Sequence, residues 1–439
     1  MRTIAMRSAL DAGRLEDAVG ALNKELGVKR GDELPKKMLN DDALLVLDRA
    51  TVHQALARHD RSKADYQAAD KAIDVLDLSK SSADDIGKWV FSDSSGRYIA
   101  PPHEKLLVNI LNMLNYLETR DLSGARVEAR RMVVTSRYLR DRDRTESRSL
   151  AFGSLLAGFA YEKSGELDEA RRFYADGARI DPLLVDPLLA KAPPAGVRLA
   201  SVQPSAQAPA SLGDDGQALE DGGGEAPEPP SEDGEILLVI GDGRVPHRIA
   251  NHVPIGLALT RAAPYLSGAD HVRASKLAAQ GLVTWVNYPT LAKSPPLGPM
   301  PVAMIDGRPV SLSPSLDVTQ LVRDEWKKIE GNVMAAAVMR AVVRVAAGKA
   351  IEGATSTSDK KGVRAIGLLA SLVLQVALTA ADVPDTRSWE TLPARLSFAR
   401  IQVPPGEHTI RLEAGGMRRE GRVRVARGGW AVASLMSLR

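Results

Sequence analysis

The stretch AFGSLLAGFAYEKSGELDEARRFYADGARIDP, residues 151–182, decides the reading of the first half of the chain. It places Gly158, Tyr161, Gly165, Ala170, Tyr174 and Pro182 where a tetratricopeptide repeat wants small, aromatic, turn, small, aromatic and terminating residues. The physical need behind the pattern is plain. Two antiparallel helices approach closely at Gly158 and Ala170, Tyr161 and Tyr174 fill the space between them, Gly165 allows the tight turn, and Pro182 stops the second helix. Ser154 and Gly177 depart from the repeat's usual Trp and Ala.

The half-motif Gly-x-Leu-x-x-Ala recurs upstream. It stands as Gly13, Leu15 and Ala18 in GRLEDAVGAL, as Leu122 and Ala125 in TRDLSGARVEA, and KADYQAADKAI offers Tyr66, Ala69 and Ile73. Ala18, Ala69, Ala125 and Ala170 are separated by 51, 56 and 45 residues, longer than the repeat's usual period of about 34. Residues 1–191 are therefore expected to form a tetratricopeptide-like α-solenoid with long helices or insertions.

A second expectation concerns the middle of the chain. Residues 201–234 hold Asp214, Asp215, Glu220, Asp221, Glu225, Glu228, Glu232 and Asp233 with no Lys or Arg. With Pro- and Gly-rich runs on both sides, residues 192–234 read as a flexible acidic linker, since little there can bury apolar surface against the entropy of ordering. The whole chain has 439 residues and net charge +3, so the −8 of residues 201–234 leaves +11 on the remainder.

Beyond the linker, EILLVI (235–240) reads as a buried strand, and VAMIDGRPV carries Asp306-Gly307 as a two-residue hairpin turn. Asp317 and Gln320 form a capping box for a helix through Trp326, followed by an apolar helical hairpin, Val333–Ala350 and Val363–Ala381. LSFARIQV, HTIRLE, GRVRVA and WAVASLM close the chain as a four-strand meander. The expected fold class is thus multidomain, α plus α+β: residues 1–191 helical, 192–234 linker, 235–393 an α+β domain with the helical hairpin, and 394–439 a small β module.

Composition narrows the chemistry. The chain is 44% hydrophobic and 26% charged, and it has no cysteine, which excludes disulfides, thiol nucleophiles and thiolate metal ligands. Seven scattered histidines have no partner at a helical spacing of three or four, and no phosphate loop, nucleophile elbow or zinc-protease helix occurs, so no catalytic residue, cofactor or metal site is expected. Gly241-Asp242-Gly243 has Pro246 where a dinucleotide site wants its third glycine. The arginines between Arg126 and Arg148 are interleaved with acids and read as a solvated helix face, not a nucleic-acid surface. Residues 365–381 are uncharged and at the lower length limit for a membrane span, with Gln375 central; they read as a buried helix, with membrane-surface association as the alternative. MRTIAMRSALDAGRLEDAVGAL contains no leader-like apolar run, so the chain is cytoplasmic or lacks its leader.

Three stretches carry a family resemblance. They are residues 89–131 (Trp89, Tyr98, Glu104, Asn115, Tyr116, Leu117, Val127–Arg131), residues 234–248 (Gly234, Glu235, Gly243, Pro246) and residues 385–410 (Asp385, Arg387, Ser388, Trp389, Leu392, Pro393, Pro405-Gly406). Together they resemble a family of bacterial cell-envelope lipoproteins with a helical-repeat front half and a β-rich tail. The PPGEHTIRLE end is also similar to PEGA-type modules, in which a Pro-Pro-Gly turn links strands of a small β-sandwich. The resemblance implies a periplasmic or membrane-anchored adaptor, although relatives usually begin with a leader and a lipidated cysteine.

Tyr116, Glu128, Arg131, Tyr161, Asp385, Arg387 and Trp389 are the candidate binding or structural residues. Glu128 and Arg131 are expected to pair inside the solenoid groove. Asp385 and Arg387 serve either as ligand contacts or as a local pair, and Trp389 as the plug of a joint between the apolar hairpin and the β module. The function expected is a non-enzymatic scaffold whose concave face takes a protein or peptide. The alternative is a cell-wall glycan binder or hydrolase using Glu104, Glu128 or Asp385, for which two carboxylates would face each other about 5–9.5 Å apart.

Overall fold

The computed structural model describes residues 2–29, 33–39, 41–78, 98, 100–143, 148–182, 233–294, 297–355 and 384–439. The fold is mixed, helices before the 183–232 stretch and helices with sheets after it. The expected linker, apart from Asp233 and Gly234, and the second arm of the apolar hairpin lie outside the described residues.

Among the described residues, eight helices form four antiparallel hairpins: α1 (Ile4–Asp11) with α2 (Leu15–Leu26), α3 (Asp42–Ala55) with α4 (His59–Leu78), α5 (Pro102–Glu118) with α6 (Leu122–Asp143), and α7 (Arg148–Lys163) with α8 (Leu167–Ile180). All four turns have the same construction. One residue is left-handed, at Gly13 (φ 71°), Ala57 (56°), Arg120 (57°) and Gly165 (82°). The next N–H then reaches back across the turn, from Arg14 to the Ala9 carbonyl, Arg58 to His53, Asp121 to Tyr116 and Glu166 to Tyr161, at 2.8 to 3.0 Å. Three residues into each second helix sits the small residue of the close contact: Ala18, Ser62, Ala125 and Ala170, all buried. Ser62, not the expected Ala69, therefore holds the place in the second unit. Ala69 is also buried, seven residues further along the same face, and a heptad shift preserves the apolar stripe. At Gly158 a β-carbon would collide with the Tyr174 ring, which accounts for the glycine there.

The β strands are β1 (Gly234–Asp242), β2 (Arg248–Pro254), β3 (Trp285–Leu291), β4 (Val302–Ile305), β5 (Arg308–Val310), β6 (Leu316–Asp317), β7 (Arg395–Val403), β8 (Gly406–Ala414), β9 (Met417–Val425) and β10 (Trp430–Ser437). One sheet runs β10-β1-β7-β6 and another β5-β4-β8-β9, while β2 pairs with β3 alone. Asp306 and Gly307, at φ 51° and 77°, make the expected two-residue turn between β4 and β5.

The four terminal strands exist, but they are not a meander. β7 pairs antiparallel and β10 parallel with β1, while β8 and β9 join β4 in the other sheet. The division expected at 393/394 consequently cuts through a sheet. The physical reason is β1, every residue of which is buried. Such a strand needs a neighbour on each edge and cover on both faces. Ile236, Leu238 and Ile240, with Leu435 of β10, pack against Ile410 and Leu412 of the second sheet. Leu237 and Val239 turn the other way and join one continuous core with helices α1–α8, Phe398, Trp389 and Leu438. The order is helices, sheet, sheet, and the front half shares its core with the back half.

The rest forms a smaller body. α9 (Ile255–Ala262), α10 (Gly268–Ala279) and the middle of α11 (Val318–Thr355), from Met334 to Val342, pack on β2 and β3 around Val286, Tyr288, Met334 and Val338. α11 runs unbroken where two separate helices were expected. Gly331 lies inside it because a β-carbon there would strike the Tyr265 ring. Among the described residues no helix is long and apolar enough to cross a membrane.

Candidate functional site

The first helices of the middle hairpins are buried on all sides: every residue of α3 from Ala43 to Gln54, and nearly every residue of α5. A repeat helix open to solvent on its inner face would not be. Part of the cover is the chain's own segment 384–392, a non-helical run that reaches β7 through Pro393. Glu390 and Thr391 form a turn in it, and two of its N–H groups meet carboxyls of the helices. Trp389 N–H donates to Glu104 Oε1 of α5 at 3.2 Å, and Thr391 N–H donates to Asp48 Oδ1 of α3 at 3.0 Å. The Thr391 hydroxyl donates to the same Asp48 oxygen at 2.9 Å.

Trp389 is 0% exposed. Its indole Nε1–H donates to Thr51 Oγ1 (3.1 Å) and Thr391 Oγ1 (3.2 Å), and the ring meets Tyr66 edge-on at 5.9 Å. Glu390 accepts from Thr3 Oγ1 at 2.8 Å and pairs with Arg7 at 3.2 Å. Ser388 Oγ accepts from the Arg248 N–H at 3.2 Å, and Arg387 grips Asp385 with Nε and Nη2 at 2.8 and 2.7 Å.

Three carboxyls are enclosed here. Burial pushes Asp48 well above the usual carboxylate range, and the nearby Glu390 and Glu104 charges add to the push. Burial likewise raises Glu104, which also accepts from the Tyr98 hydroxyl, and Glu390. Asp48 Oδ2 is buried without a hydrogen-bond partner. Asp385 goes the other way: burial would raise it, but Arg387 outweighs that and holds it low.

The residues singled out from sequence do not converge. Trp389 is buried against the helical array through Thr51 and Tyr66, while the second arm of the expected apolar hairpin lies outside the described residues. Asp385 and Arg387 pair with each other. Glu128 is buried between α5 and α6, accepting from Asn109 Nδ2 (3.1 Å) and Asn112 Nδ2 (3.0 Å), and Arg131 reaches Asp70 at 2.5 Å instead of pairing with Glu128 by direct contact. Tyr161 stacks on Phe173 at 5.2 Å inside the last hairpin, and the Tyr116 hydroxyl accepts from Gln67. Asp48 and Thr51 were missed, although DALLVLDRATVH shows the signal, a charged pair set in an otherwise apolar helix. Among the described residues no three His, Asp or Glu side chains gather as a metal site.

An open groove of about 700 Å³ lies elsewhere, between β5 and β7. His408 is among its lining residues, donating from Nδ1 to Asp306 Oδ2 and from Nε2 to the Pro404 carbonyl, both 2.7 Å. Burial alone would depress this imidazole; the two acceptors outweigh it and raise it above the ordinary 6.5. A raised histidine stabilises the fold fully below its unfolded value and loses that contribution as pH rises through the folded one. The urea midpoint of the protein is thus expected to fall as pH climbs from about 6 to 9, and His408→Gln to flatten that slope. An identical slope in the variant would remove His408 from the account.

No known protein family and no curated protein matches the sequence. Among solved structures, the crystal structure of BtubC (BKLC) from P. vanneervenii is similar over 49% of this chain and 70% of that one, at 16% identity and a TM-score of 0.31. A likeness of that size carries no argument about fold or function.

Proposed function

We propose that the protein is a non-enzymatic scaffold, a tetratricopeptide-like array of helical hairpins whose inner face holds a non-helical polypeptide segment. One observation carries the reading: carboxyl oxygens from two successive first helices, of Asp48 and Glu104, take the N–H groups of residues i and i+2 of a non-helical segment, while Thr51 and Tyr66 receive the side chain of residue i. Main-chain clamps plus one side-chain pocket form a way of recognising peptides in which the backbone supplies affinity and the pocket supplies selectivity. The four identical turns support the array.

The hydrolase alternative draws no such support. Glu104 is closed under Trp389, Glu128 sits between two asparagines in another hairpin, and Asp385 is gripped by Arg387. The envelope setting implied by the family resemblance is retained as part of the proposal, to be checked by cell fractionation.

A random-peptide display library panned against the Thr391→Val and Trp389→Ala variants tests the reading. Selected sequences are expected to share a large aromatic residue followed two positions later by threonine or serine. A selected pool without a common pattern, from folded variants, would count against a polypeptide groove.

A further inference from the structure

Among the described residues before position 183, six large apolar side chains are exposed, and three of them stand on the single helix α6: Val127 (43%), Val134 (67%) and Tyr138 (49%). None of the three belongs to the core, so packing within the array does not account for them. At about 100° per residue they fall within an arc of about 40° around the helix. Exposed arginines border that arc on both sides, Arg131 about 20° beyond Tyr138, and Arg130 and Arg137 about 40° and 60° beyond Val134. The one acid between Val127 and Tyr138, Glu128, is turned inward to Asn109 and Asn112. The outward face is therefore apolar along its middle and positive along its flanks.

Neighbouring helices set the width of this face. Arg126 pairs with Glu166 just before α8, and Arg131 with Asp70 of α4, so acids stand on the elements to either side. A broad anionic surface such as a membrane would meet those carboxylates as well as the arginines. A single helix, about 10 Å across, meets the stripe alone. A second copy of this chain laying the same face on itself would bring arginine against arginine. The stripe runs for about 16 Å, three turns of helix.

We propose that this face of α6 is a docking surface for an amphipathic α-helix of a partner protein, one with an apolar stripe at heptad-like spacing and Asp or Glu along both flanks. Val127, Val134 and Tyr138 pack on the partner's apolar stripe, while Arg130, Arg131 and Arg137 face its carboxylates and select it. The surface is separate from the seat of residues 384–392, which lies on α3 and α5.

The probe is a fluorescein-labelled peptide of three heptads with leucine at a and d and glutamate at e and g, titrated by anisotropy against the full chain. One control peptide carries lysine at e and g, and another keeps the glutamates but has serine at a and d. Wild type is expected to bind the probe and neither control. Val134→Ser is expected to weaken binding about tenfold, through loss of one buried apolar contact. The double variant Arg130→Glu, Arg137→Glu is expected to lose the glutamate peptide and gain the lysine peptide, an exchange that misfolding would not produce. Equal binding of the serine control and the probe would reduce the face to bulk charge and overturn the proposal. Absence of binding by wild type, or unchanged binding by the double variant, would overturn it as well. Binding to phosphatidylglycerol vesicles that the double variant loses, with none to the glutamate peptide, would assign the face to an anionic membrane and overturn the helical partner.

Discussion

Trp389→Ala is expected to destabilise the protein by about 3–5 kcal/mol, the range for deleting a large aromatic side chain from a core that cannot collapse around the loss. Three elements converge on the residue: Thr51 of α3 accepts from its indole N–H, Tyr66 of α4 meets the ring edge-on, and Glu104 of α5 accepts from its main-chain N–H. Trp389→Phe keeps most of the ring's volume but leaves Thr51 and Thr391 without the indole donor, so it should recover much of the loss and remain about 0.5–1.5 kcal/mol below wild type. Urea unfolding followed by circular dichroism provides the measurement. Because Trp389 belongs to the continuous core that includes both the helices and β1, helix and sheet signals should fall together in the variant. An unchanged midpoint would mean that the residue does not hold the two halves together.

That expectation reverses one that the sequence invites. The acidic stretch before β1 argues for two bodies melting separately, because composition reports the entropy of the connector and nothing about whether the flanking surfaces meet. EILLVI did contain the missing information: an apolar run without alternation must be covered on both faces, and one of those covers proved to be the helical half. Strand existence was legible throughout the tail, whereas pairing was not. Local order favours neighbours along the chain, and β1 overrode it by recruiting β7 and β10 from more than 150 residues away.

The candidate site was legible only in part. Trp389 announced itself as a buried indole flanked by polar residues. Asp48, which accepts from Thr391 across 343 positions, could not be matched to that segment, since no periodicity links two such distant points. Ser62 shows a different limit, for a helix face repeats every seven residues and an alanine one heptad along looks equally suitable from sequence.

The other large effect is expected at Arg400, which lies on the helix-facing side of β7, 2% exposed at its side chain, and ties the sheet to the last hairpin. Its guanidinium donates to Glu162 of α7 at 2.9 and 2.5 Å, to Glu235 of β1 at 2.8 to 3.2 Å and to the Tyr174 hydroxyl of α8 at 3.1 Å. Lys163 completes the cluster at 2.8 Å from Glu162 and 2.5 Å from Glu235. Burial would raise Glu162, but Arg400 and Lys163 outweigh it and hold the carboxyl low. Its contribution is therefore present above the ordinary 4.5 and disappears as pH falls through the lower folded value. Arg400→Met leaves two buried carboxylates facing one lysine and should cost about 3–5 kcal/mol, the range for removing one partner of a buried pair. Adding Glu162→Gln and Glu235→Gln removes the stranded charges, and that triple variant should regain most of the stability, because a neutral packed cluster of similar volume can match an ionic one. The urea midpoints of the single and triple variants at neutral pH decide the matter. If the triple variant is no more stable than the single, the loss comes from the contact of the Arg400 guanidinium with the Phe159 ring and not from unpaired charge.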